Sequence, residues 1–75
     1  MQPFFEDGWL VVPCNADDTA RVEIKVGAGE PRPAFRDYYI DQQGRVFRVA
    51  KVRSAHVRSM VTLTVNGAST TFRVA

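Results

Sequence analysis

Val57-Arg58-Ser59-Met60-Val61-Thr62-Leu63-Thr64-Val65-Asn66-Gly67-Ala68-Ser69-Thr70-Thr71-Phe72-Arg73-Val74 reads as a β-hairpin with a fixed register. Asn66-Gly67 is the strongest short-range hairpin signal, because a two-residue type I′ turn needs positive φ at both central positions. Such a turn sets Val65 opposite Ala68, Leu63 opposite Thr70, Val61 opposite Phe72 and Ser59 opposite Val74. One face is then mostly apolar: Val57, Val61, Leu63, Val65, Ala68, Phe72 and Val74. The other carries Arg58, Met60, Thr62, Thr64, Ser69, Thr71 and Arg73. Both arms agree on one inside and one outside, which a register slipped by one residue would not give.

A second hairpin precedes it. Asp41-Gln42-Gln43-Gly44 suits a type I turn closed by a left-handed glycine. Asp41 then faces Arg45, Ile40 faces Val46, Tyr39 faces Phe47 and Tyr38 faces Arg48. Neither face of this pair is purely polar. Ile40, Val46, Ala50 and Val52 line one side, and Tyr39, Phe47 and Val49 line the other. A strand pair apolar on both faces is covered on both, by the rest of a barrel or by another molecule.

Working outward, Val, Ile, Thr and aromatic residues dominate in short runs broken by Gly, Pro, Asn and Asp, and no window shows a capped helical period. Strands are expected at 8–13, 20–26, 36–41, 45–54, 57–65 and 68–74, with a polar turn at 16–19. The expected fold is all-β: a small antiparallel barrel or sandwich of five to six strands built from hairpins. Residues 1–75 form one domain, with an N-terminal arm at 1–7 and a Gly/Pro-rich loop at 27–34. Phe4 and Phe5 cannot both enter one small core, so the arm is a candidate anchor in a neighbouring subunit, with capping of its own barrel as the alternative. Pro31 and Pro33 stiffen the loop around Arg32 toward an extended path.

A 75-residue chain buries a modest core of marginal stability. Cys14 is the sole cysteine, so no internal disulfide forms, and one Cys with one His does not build a usual zinc site. No cofactor is expected. Asp17-Asp18 reads as a turn beside Asn15 and Thr19, and His56 as a surface turn residue, so catalysis is not expected. No basic leader and no run of about 20 apolar residues occurs, which points away from secretion and from the membrane.

The net charge of +2 hides an asymmetry. Eight acids and four bases lie up to Asp41; beyond it Arg45, Arg48, Lys51, Arg53, Arg58 and Arg73 face no acid in sequence. A basic half meets a polyanion, or pairs with the acidic half of a neighbour, or interleaves with acids of its own fold.

Asp37-Tyr38-Tyr39-Ile40-Asp41-Gln42-Gln43-Gly44-Arg45-Val46-Phe47-Arg48-Val49, followed by alternating strands, resembles the barrel core of small tailed-phage virion proteins: head–tail joining, capsid-decorating and minor capsid proteins. The likeness covers residues 36–75. It implies a non-catalytic building block, repeated by symmetry in a virion assembled in the host cytoplasm. Its partners would be other copies of itself and other virion subunits, with no small-molecule substrate and no membrane. The docking residues expected on that reading are Phe4, Phe5, Trp9, Pro31, Arg32, Pro33, Tyr39 and Phe47. The alternative is an OB- or SH3-like module that binds nucleic acid through Arg45, Arg48, Lys51, Arg53, Arg58 and Arg73. A third reading is a small inhibitor.

Overall fold

A computed structural model describes residues 1–74. Eight strands follow one another: β1 Phe4–Glu6, β2 Trp9–Pro13, β3 Val22–Val26, β4 Arg32–Pro33, β5 Phe35–Ile40, β6 Val46–Arg53, β7 Ser59–Val65 and β8 Ala68–Val74. They make two four-stranded antiparallel sheets, ordered β1-β2-β6-β5 and β4-β3-β7-β8. The fold is therefore all-β. The six longer strands fall where the hydrophobic alternation puts them, within one or two residues at each end. Two short strands, β1 and β4, raise the count from five or six to eight.

Both expected registers are present. Val65 pairs with Ala68, Leu63 with Thr70, Val61 with Phe72 and Ser59 with Val74. Ile40 pairs with Val46, Tyr39 with Phe47 and Tyr38 with Arg48. The turn residues carry the backbone that their chemistry allows: φ is 49° at Asn66, 85° at Gly67 and 80° at Gly44. A Cβ at Gly67 would meet nothing within 4 Å, so Gly67→Ala tests backbone strain alone. It should cost about 1 kcal/mol, read as a lower urea midpoint with an unchanged slope. Val57, placed on the apolar face by alternation, lies outside β7 and is 41% exposed, because the ladder begins at Ser59.

The segment 1–7, expected as an arm, is corrected to part of the fold. Phe4 pairs with Val11, Phe5 with Leu10 and Glu6 with Trp9. The cause is a second two-residue turn with positive φ at both positions, Asp7 at 53° and Gly8 at 82°. The 27–34 loop is also partly structured. Arg32 and Pro33 pair with Ile24 and Glu23 as the edge strand β4, where a proline without an N–H is tolerated.

The core lies between the sheets. Leu10, Val12, Ala50 and Val52 of the first sheet meet Val22, Ile24, Val61, Leu63 and Val74 of the second, with Cys14 at the margin. Leu10, Val12, Ile24 and Val61 are fully enclosed. Phe5 and Phe72 pack against this cluster from the side. All these side chains sit on one parity of their strands, which leaves the opposite parity of the first sheet facing outward.

Candidate functional site

The outward face of the first sheet is not a polar face. Its alternating positions are Phe4 and Glu6 on β1, Trp9, Val11 and Pro13 on β2, Phe47, Val49, Lys51 and Arg53 on β6, and Phe35, Asp37 and Tyr39 on β5. Phe4 and Tyr39 come from opposite edges of the sheet, yet their rings meet edge-on with centroids 4.9 Å apart. Val11 and Val49 lie in the rows between them and are 5% and 2% exposed. The two rings thus close a small secondary core on the outside of the sheet. Separate from it, Trp9 carries Arg53 at 4.1 Å and Lys51 at 4.7 Å from its ring centroid, and meets the edge of Phe35 at 5.6 Å. Such cation–π contacts are each worth about 0.5–1 kcal/mol at partly exposed sites.

The hairpin formed by β5 and β6 runs past the cover of the second sheet. On its inner parity Tyr38, Ile40 and Val46 are 63%, 65% and 61% exposed. Its outer parity carries Tyr39 and Phe47, with Arg45 over the Phe47 ring at 5.7 Å. Two open depressions flank this region. One of about 250 Å³ is lined by Glu6, Trp9, Val11, Tyr39, Val49 and Lys51. The other, of about 370 Å³, is lined by Met1, Phe4, Tyr39, Asp41, Arg45 and Phe47.

The acids and bases interleave. Lys51 reaches Asp37 at 2.8 Å, Arg45 reaches Asp41 at 2.7 Å, and Arg48 is bonded to Asp18. Three of the six cations expected on a basic surface are thus matched by acids of the N-terminal half. The six do not gather either. Arg45, Lys51 and Arg53 lie on the outward face, Arg48 on the inner parity of β6, and Arg58 and Arg73 beside Met60 on the other sheet.

Of the residues expected at a docking surface, the structure brings together Phe4, Trp9, Tyr39 and Phe47. It removes Phe5, which turns inward to the core and stacks edge-on against His56 at 4.7 Å. Arg32 donates from Nη1 to the Arg53 carbonyl at 2.7 Å, so it ties β4 to the end of β6, while Pro31 and Pro33 stay exposed beside it. Phe35, 63% exposed, and Tyr38, Ile40 and Val46 were not singled out as docking residues. The alternation of β5 was the available signal, since it leaves an apolar residue on each parity of a strand at the sheet edge.

Arg36 plays a part that no local pattern announces. Its guanidinium donates to the carbonyls of Cys14 at 3.1 Å, Ala16 at 2.9 Å and Asp17 at 3.2 Å, gathering the turn that leaves β2. Cys14 is buried at the C-terminal end of β2, whereas His56 lies near its start, where Ser54 N donates to the Gly8 carbonyl. Among the described residues no three His, Cys, Asp or Glu side chains gather as metal ligands would, and no helix is long and apolar enough to cross a membrane.

Two carboxylates titrate low. The hydrogen bond from Lys51, with the Tyr38 N–H and the Lys51 charge behind it, holds Asp37 below the ordinary 3.8. Partial desolvation pushes Asp41 up, but hydrogen bonds from the Arg45 backbone, the Arg45 side chain and Gln43 N–H outweigh it and hold Asp41 below 3.8. A carboxylate whose folded pKa is depressed stabilises the fold above its unfolded value, and that contribution is lost as pH falls through the folded value. Urea midpoints should therefore change little with these groups above about pH 4 and fall below it. The Asp37→Asn/Asp41→Asn double variant should show a shallower acid limb; an identical limb would mean that neither contact matters to stability.

No family model, no curated protein and no solved structure matches the chain.

Proposed function

We propose that the chain is a non-enzymatic structural subunit of a viral particle, of the capsid-decorating, minor capsid or head–tail joining kind. It docks on neighbouring subunits through the β5–β6 hairpin and the aromatic face beside it. The observation that carries this reading is a hairpin apolar on both faces, with Tyr38, Ile40 and Val46 exposed on one and the half-buried Tyr39 and Phe47 on the other. Contiguous exposed apolar surface of this kind marks an interaction site in a small soluble domain. The virion setting is supported by the likeness of residues 37–49 to small tailed-phage virion proteins.

The charge arrangement favours a protein partner over a polyanion. Arg45, Arg48 and Lys51 are engaged by acids, and Trp9 is stacked with its own Arg53 and Lys51, so its ring is less open to a nucleobase. The test is sedimentation of particles from a culture producing the full chain. The chain should travel with the particle fraction, before and after nuclease treatment. Recovery at the top of the gradient would overturn the reading, and release by nuclease would replace it with nucleic-acid binding.

A further inference from the structure

We infer that β5 pairs with β5 of a second copy of this chain, antiparallel, about a two-fold axis at Tyr38. The two first sheets then join into one continuous sheet. This deepens the reading above and rests on it for the expectation that copies meet.

β5 is an edge strand, paired on one side by β6. Asp41 N donates to the Arg45 carbonyl, and Cys14 N donates to the Arg48 carbonyl from the β2 side. Hydrogen-bonded and non-bonded pairs alternate along an antiparallel ladder. The N–H and C=O groups of Arg36, Tyr38 and Ile40 therefore point away from β6, to the open edge. Of these, Tyr38 N–H is held by the carboxylate of its own neighbour, Asp37, at 2.8 Å. No other partner of these six groups occurs among the described residues. An edge of six residues in this state is a template for another strand.

The side chains select both the partner and the register. With Tyr38 on the axis, Arg36 pairs with Ile40 of the second copy, and all six outward groups of each chain are used. Asp37 then stands opposite Tyr39, and Phe35 opposite Asp41, so no like charges meet. A shift of two residues one way sets Asp37 opposite Asp37; a shift the other way sets it opposite Asp41. A further shift sets Arg36 opposite Arg36. Like charges directly opposed destabilise a pair. The favoured register also covers the exposed Tyr38 and Ile40, and Tyr38 N–H exchanges Asp37 for the carbonyl of its symmetry mate, while Asp37 keeps Lys51.

Light scattering of the full chain should give twice the monomer mass on the order of 100 µM. Tyr38→Pro removes an N–H that the β6 ladder does not use, so the fold persists and the mass halves. Should that variant fail to fold, Ile40→Lys sets a lysine against Arg36 of the second copy and should give a folded monomer. Tyr38→Cys gives a positive readout. Hydrogen-bonded antiparallel partners hold their Cα atoms about 5.5 Å apart, within disulfide range. This variant should oxidise to a covalent dimer, whereas Asp37→Cys, and the wild type with its buried Cys14, should not.

A wild-type monomer, a folded dimer of Tyr38→Pro, or a Tyr38→Cys chain that does not cross-link would each overturn the pairing. A monomer that still sediments with particles overturns the pairing and leaves docking intact. A dimer absent from particles does the reverse.

Discussion

Deleting residues 1–7 is expected to lower stability by about 3 kcal/mol, enough to leave much of a small domain unfolded at 37 °C. The deletion takes the ladder partner from Trp9–Val11, withdraws Phe5 from the core margin and uncovers Val11 and Val49 beneath Phe4. Fully burying one phenylalanine contributes about 1.5–3 kcal/mol, and two are involved, both of them partly covered. The entropy of ordering seven residues offsets part of the sum. Phe5→Ala should account for most of the loss and Phe4→Ala for less, because Phe4 closes only the secondary core. Thermal unfolding by circular dichroism checks this. A truncated chain that melts within a few degrees of the full chain would mean that β1 is an ornament on a sheet complete without it.

Arg36→Ala should destabilise by about 2–3 kcal/mol. Four carbonyls that the guanidinium now bonds, the three of the turn and that of Val49 at 3.4 Å, would lose a charged donor, and hydrogen bonds to charged groups contribute roughly 1.5–3 kcal/mol where water is partly excluded. Partial exposure and the length of the Val49 contact reduce the sum well below four times that figure. Arg36→Lys keeps the charge but not the planar fork, so it should recover less than half of the loss. The measurement is the urea midpoint, together with exchange of the Cys14 and Ala20 amides, which donate to the Arg48 and Asp17 carbonyls on either side of the turn. These amides should lose protection in both variants. Unchanged protection would mean that the turn holds itself.

Much of the fold is legible because turn chemistry fixes register. Asn66-Gly67 and Asp41 to Gly44 each set a hairpin, and the pairing follows by counting. The same chemistry stands at Asp7-Gly8, but its outer arm is three residues long and begins beside a proline, so length and position pointed to an arm. β4 has the opposite difficulty: two residues, one a proline, carry no alternation at all. The site is legible in part. Two-sided apolar patterning marked Tyr39 and Phe47, but alternation does not say how far the second sheet extends. The bare end at Ile40 and Val46 therefore came from tertiary structure. Arg36 was hidden because a long side chain meets carbonyls some twenty residues away, and no local spacing encodes that reach. The acidic and basic halves look segregated in sequence and interleave in space, since β2 and β5 lie beside β6 and β3 lies beside β7.

That last arrangement bears on how the molecule is made. Val11 lies beside Lys51, and Ile24 beside Leu63, so both N-terminal strands wait for partners about forty residues downstream. At about 5–20 residues per second, synthesis leaves β2 and β3 unpaired for roughly 2–8 s. Local turns close β5–β6 and β7–β8 as soon as those segments exist, while the sandwich itself closes only when its oldest strands are drawn in. The Asp7-Gly8 turn gives β2 a companion during that interval: β1 occupies one of its edges from the start, leaving the other open for β6.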